Sequence, residues 1–285
     1  MIDTFVIKRS ILFSFVKATT AVVVIMVAAS SGAAWAAGDA TCSSGSIAAG
    51  VYSNLNIAGT CAVDKGSVTV QHNLTVLPGA TLVAVTGGID GFGDGSLSSD
   101  LTVGGNLDVQ AGAVLVLGCE PVYNTCPNDR TAPPFPGVGG TYLTQHTVSG
   151  NLTAENALTV VIHRTTVFGN ITLTGGGGGV SCLSAVPGLG FPPYGDLEDV
   201  TVGGNVTITG WQSCWLGMFR VTANNNATLS GNSTADPDGN EIAHNTVLGN
   251  LSCSGNVPAN QAGDSAGGPN NVVGKATGQC SGLVK

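Results

Sequence analysis

One phrase recurs along the chain and constrains its fold more than any other feature. It reads SDLTVGGNLDV at 99–109, HTVSGNLTA at 146–154, TTVFGNITLTG at 165–175, DVTVGGNVTITG at 199–210 and NTVLGNLSCSG at 245–255. A short β-branched run meets Gly-Asn, and a second run alternating aliphatic residues with Thr follows. Aligned on the Asn that opens the second run, the anchors are Asn54, Asn73, Asn106, Asn151, Asn170, Asn205, Asn226, Asn250 and Asn271. Their gaps are 19, 33, 45, 19, 35, 21, 24 and 21 residues, and the short ones, 19–24, have the length of one solenoid coil. The long gaps hold Gly-, Pro- or Cys-rich segments at about 87–99, 119–140 and 175–196, which read as loops growing out of a coil.

Within a coil the pattern has period two. In Val200-Thr201-Val202 and Val206-Thr207-Ile208 the aliphatic side chains face one way and Thr the other, as in a half-buried strand. Strands this short gain stability only by stacking, which pairs their backbones and merges their aliphatic stripes into one core. Gly-Asn suits a corner because both residues tolerate the left-handed backbone region. Asn side chains at equivalent points of successive coils are placed to form a hydrogen-bonded ladder. The expected fold is therefore all-β: a right-handed parallel β-helix with coils of about 19–24 residues and irregular insertions. A β-sandwich fits the composition, 43 Gly and only 9% charged residues, but not the recurrence of one phrase at one period.

Lys8, Arg9 and Lys17, an apolar run over 18–29 and Ala34-Trp35-Ala36 mark residues 1–36 as a secretory signal peptide, leaving 37–285 as a single solenoid domain. No later run is long and apolar enough to span a bilayer. The exported part would keep 6 basic and 16 acidic residues, a charge balance that disfavours nucleic acid and anionic membrane as partners. All eight cysteines lie beyond the signal, an even number that reads as four disulfides. Cys42 and Cys61 each precede an anchor Asn by 12 residues, so they stack in adjacent coils within disulfide reach. Cys182 and Cys214 are again about one coil apart, Cys119 and Cys126 close a loop on themselves, and Cys253 and Cys280 tie the last coils. The expected pairing is sequential.

The TVxGNLTV phrases and the ending NTVLGNLSCSGNVPANQAGDSAGGPNNVVGKATGQCSGL (245–283) resemble a group of secreted actinobacterial β-solenoid proteins of uncharacterised function, most clearly over the last 40 or so residues. More broadly the chain is similar to right-handed parallel β-helix proteins, among them pectin-degrading enzymes, adhesins and bactofilins. The resemblance implies a fold and an extracellular setting, and no activity.

Chemistry is sparse. The Asn-Thr-Asp, Asp-Asp, Gly-His-Gly and Arg-x-Lys signals of pectin hydrolases are missing, so no catalytic residue is assigned. Glu198-Asp199 is the nearest carboxylate pair, and adjacent strand positions point to opposite faces. His146, His163 and His244 each lie just before a phrase and could form a stacked row. Asp236, Asp238 and Asn240 match the first half of an oxygen-ligand calcium loop, and the Gly-Asp stretch at 87–95 is a second calcium candidate; no other cofactor is expected. Of seven Asn-x-Ser/Thr signals, six coincide with an anchor of the repeat, all but Asn232, and a corner Asn is poorly placed to carry a sugar. Trp211 and Trp215 are candidates for stacking on carbohydrate, or else cap the core beside Cys214. Thr75, Thr153, Thr172 and Thr207, each two residues after an anchor, form an outward row of the kind that binds ice, interrupted by Asp108, by Ser252 and by the insertions.

These features point to a secreted or cell-surface structural or adhesive solenoid without catalytic activity, facing extracellular polysaccharide or cell-envelope components. The alternatives are a polysaccharide-binding or polysaccharide-degrading β-helix and, more remotely, an ice-binding protein.

Overall fold

The computed structural model describes residues 38–64, 66–85, 99–118, 145–263 and 268–285, all within one compact unit, Ala34–Lys285. The signal segment, the calcium candidate at 87–95 and the Cys119–Cys126 pair lie outside the described residues. Every named strand pairs in parallel, and no helix occurs among the described residues. The chain is a parallel β-helix. Each full coil contributes to three ladders: a first, nine-stranded one before the Gly-Asn corner, a second after it, and a third that completes the turn. The second and third ladders are continuous through the long strand Leu55–Ala62, which serves both.

The core follows from the alternation. Leu74, Leu107, Leu152, Ile171, Val206, Ala227 and Leu251 are fully buried, each at the start of a strand of the second ladder and in register from coil to coil. The aliphatic residues of the first and third ladders, such as Val103, Val167, Ile162 and Leu197, close the same core from the other sides. A fully buried Leu or Ile contributes roughly 1.5–3 kcal/mol, so stacked columns are what make three-residue strands persist.

The anchor Asn residues form the expected ladder, with the backbone as donor. Each Asn N–H donates to the Oδ1 of the Asn one coil earlier, from Asn73 on Asn54 through Asn250 on Asn226, at 2.8–3.1 Å. At the last corner the register differs from the phrase alignment. Thr246 pairs with Asn271, and the residue that donates to Asn250 Oδ1 is Lys275, so Asn271 lies within a strand and is not an anchor. Two further amide ladders lie inside: buried Asn232 and Asn256 with half-buried Gln279 in one, buried Asn245 and Asn270 in the other.

The corner glycines are there for a reason other than backbone handedness. None of Gly105, Gly150, Gly169, Gly204 and Gly249 has positive φ, and neither do the anchors. A Cβ on Gly105 would stand 2.6 Å from Asn73 Oδ1, and one on Gly249 2.7 Å from Asn226 Oδ1. Glycine lets each coil settle onto the ladder below it. The left-handed residues occupy the two other corners instead: Gly112, Asn156, Gly175, Gly210, Gly231 and Gly255 after the second ladder, and a charged set after the third.

The three disulfides among the described residues, Cys42–Cys61, Cys182–Cys214 and Cys253–Cys280, are those of the expected sequential pairing. The third insertion ends earlier than its composition suggests, because Tyr194–Glu198 is already a strand of the third ladder.

Candidate functional site

The polar residues with most chemistry gather on the outer side of the third ladder. Strands Thr159–His163, Tyr194–Glu198, Trp215–Phe219 and Glu241–Ala243 stack there, with Ile162, Leu197, Met218 and Ile242 pointing into the core. Alternation sends their neighbours outward. Register then aligns Val161, Asp196, Gly217 and Glu241 in one column, and His163, Glu198, Phe219 and Ala243 in the next.

This outer side is covered. Asp196, Glu198, His163 and Glu241 are all buried. The insertion ending at Pro193 folds back over the ladder: Gly177 N–H donates to Ala157 O, Gly179 N–H to Gln212 O, and Cys182 is bonded to Cys214. Its Phe191 ring meets Tyr194 edge-on, Tyr194 meets Trp215 edge-on, and Trp215 stacks on Phe219 at 5.7 Å between centroids. Trp215 also donates from Nε1 to Glu241 Oε2 at 3.2 Å. Burial and the Asp196 and Glu198 carboxylates push the Tyr194 phenol well above its usual range.

Beneath the aromatic row lies a charge network. His163 Nε2 and Asp196 Oδ2 are 3.0 Å apart. Arg220 forks onto Asp199, Nε to Oδ1 at 2.7 Å and Nη2 to Oδ2 at 2.9 Å, and the same Nη2 donates to Glu198 Oε2 at 2.9 Å. Glu198 and Asp199 therefore converge, against the expectation from strand alternation. The strand ends at Glu198, and Asp199 adopts a left-handed conformation that swings its carboxylate round the corner. The same corner is left-handed at Arg164, Asp199, Arg220 and His244, with φ of 49–56°, one above another in successive coils. Side chains at such positions cost on the order of 1 kcal/mol each, a cost that the Arg220–Asp199 fork offsets.

The three histidines do not stack. His163 is in the outer cluster, His244 is exposed at the corner, and His146 opens a first-ladder strand with its side chain inward, in register with Leu101. Burial lowers the His146 pKa to about 4, against opposing effects of Asp100 and the Ala84 carbonyl. Trp211 is completely buried and belongs to the core, so it presents no ring to a ligand. Trp215 keeps partial exposure within the aromatic row.

The calcium candidate Asp236, Asp238 and Asn240 lies on a turn. Asp236 Oδ1 accepts the Asp238 N–H at 3.0 Å, while Asn240 is buried and donates inward to Pro258 O. Among the described residues, His163, Asp196 and Glu198 are the one group of three His, Cys or acidic side chains whose ligand atoms all lie within 4.8 Å of one another.

The other notable surface is the outer side of the first two ladders. Thr69, Thr102, Thr147, Thr166, Thr201, Thr222 and Thr246 form an unbroken register-matched column on the first. On the second, the row continues from Thr153, Thr172 and Thr207 to Thr228, with Asp108 and Ser252 as the interruptions. Strand register carries both columns past the points in the chain where the insertions occur. Residues 86–98 and 119–144 join third-ladder to first-ladder strands, and 175–193 joins the second to the third. The Gly-Asn corner between the first and second ladders carries none. An open trough between the Asn and Thr columns runs along the second ladder.

No protein-family model matches the chain, and no curated protein or solved structure matches it either.

Proposed function

We propose that the protein is a secreted or cell-surface structural and adhesive solenoid that lies along extended extracellular polysaccharide and does not turn it over. The observation that carries this reading is the pair of adjoining Thr- and Asn-lined faces, continuous across the insertion-free corner. Such faces offer many weak, equally spaced hydrogen bonds, which suits a polymer with its own repeat better than a small molecule seeking an enclosed pocket. Few charges interrupt them, Asp108 being one. Three disulfides fit an extracellular setting, and no helix among the described residues is long and apolar enough to cross a membrane.

The test is retention on insoluble polysaccharides, with reducing-sugar release assayed in the same tubes. Retention without release is expected, and Thr172→Asp with Thr207→Asp should cut it at least tenfold while leaving the melting temperature within a few degrees. Release of sugar, or retention indifferent to these substitutions, contradicts the reading. The unbroken column of seven threonines favours a second reading, in which this face orders water against ice. Thermal hysteresis in the absence of polysaccharide retention would select it.

A further inference from the structure

We propose that His163, Asp196 and Glu198 bind one divalent transition-metal cation, with Zn²⁺ as the best fit. The inference concerns the third ladder and does not depend on the adhesive reading of the other two.

The geometry is set by the backbone. His163 and Glu198 are register partners on adjacent strands, and Asp196 lies two residues before Glu198 on the same outward side. One ligand atom from each comes within 4.8 Å of the other two. His163 Nε2 and Asp196 Oδ2, 3.0 Å apart, are a few tenths of an ångström closer than the roughly 3.4 Å between two donors about 2.1 Å from a shared tetrahedral ion.

Two carboxylates and an imidazole select the kind of ion. Mg²⁺ and Ca²⁺ favour sites made wholly of oxygen, whereas imidazole suits Zn²⁺ and its first-row neighbours. To bind, His163 presents the Nε2 lone pair and keeps its ring proton on Nδ1, so the ion takes the place of the proton between His163 and Asp196. Arg220 holds Glu198 through Oε2 and Asp199 through both oxygens, which fixes the Glu198 carboxylate from behind. Two buried carboxylates, Asp196 and Glu198, thus stand with the half-buried Asp199 at one corner, and a divalent cation reduces their mutual repulsion. Three protein donors leave the remaining coordination positions to water.

The experiment titrates ZnCl₂ into EDTA-stripped, dialysed protein by calorimetry. The expected result is one Zn²⁺ per chain with a Kd of micromolar or below, and no comparable uptake of MgCl₂ or CaCl₂. His163→Gln and Glu198→Gln should weaken uptake at least tenfold, and Asp238→Asn should leave it unchanged. Absence of uptake, uptake unaffected by either site substitution, or uptake lost in Asp238→Asn overturns the proposal. Should the site variants fail the circular-dichroism check for folding, crystals of the unsubstituted protein grown with ZnCl₂ decide. An anomalous peak about 2.1 Å from His163 Nε2 supports the site, and a peak elsewhere or none overturns it.

Discussion

His146 enters the core where the preceding coil places Leu101, and its imidazole has Asp100 and His163 as its titratable neighbours. Burial holds its pKa at about 4, below the ordinary 6.5, so the folded protein keeps it neutral where the unfolded chain would protonate it. Its effect on stability is therefore flat above about pH 6.5 and grows unfavourable as pH falls towards 4. Between pH 7 and pH 5 the loss amounts to roughly 2 kcal/mol. His146→Leu should remove that slope, a difference readable from urea unfolding of the two proteins at both pH values. An unchanged slope would mean that the ring reaches solvent. The anchor amides admit a second prediction. Asn170 Oδ1 accepts the backbone N–H of Asn205 at 2.8 Å and its Nδ2 at 3.1 Å. Asn170→Ala leaves that partly buried N–H without its acceptor and should cost about 1–2 kcal/mol, whereas removing an amide at an exposed, unstacked site such as Asn224 should cost almost nothing. Neither His146 nor the buried amides at Asn245 and Asn256 stood out in the sequence as core residues, because inward polar side chains look like outward ones until the register is known.

At the level of the coil, the Asn ladder and the Cys42–Cys61 disulfide were legible because the strand–corner–strand phrase keeps a constant count there. Cys42 and Cys61 stack because nothing is inserted between them. The site on the third ladder was not legible by the same count. His163 and Asp196 are 33 residues apart, and the insertion at 175–193 falls between them, so offsets measured forward from the anchors lose register. Measured backward from the next phrase the signal is present: His163 stands two residues before Thr165, and Glu198 two before Val200. The corner glycines were also misread. Their role is close approach, which predicts that Gly105→Ala clashes with Asn73 Oδ1 and the His72 carbonyl, both 2.6 Å from the new Cβ. The coil above must lift, at a cost of about 1–3 kcal/mol in equilibrium unfolding. Had a left-handed backbone been the reason for Gly, Asn would substitute well at 105; close packing predicts that Gly105→Asn is at least as damaging as Ala.

Across the whole molecule, stability belongs to stacked neighbours, and the terminal coils have fewest. Cys42–Cys61 and Cys253–Cys280 fasten those ends. Replacing Cys42 and Cys61 with Ser removes closure of a loop spanning 19 residues, worth about 3 kcal/mol. Hydrogen exchange should then quicken over 40–62 while the amides of Ile171–Thr174 in the central coils stay protected. Uniform acceleration would show a single cooperative block in place of a stack. The functional reading rests on the same stacking, since polar faces continuous over many coils exist only if the coils keep register. Spin labels on Cys introduced at Thr69 and Thr246 measure that directly. These positions are joined by six successive register steps of the first ladder, so at about 4.8 Å per coil they stand about 29 Å apart despite the length of chain between them. A narrow distance distribution centred near 29 Å, allowing for the label arms, is the predicted result. A broad distribution, or one centred below about 20 Å or above about 40 Å, would contradict the stacked faces on which the account depends.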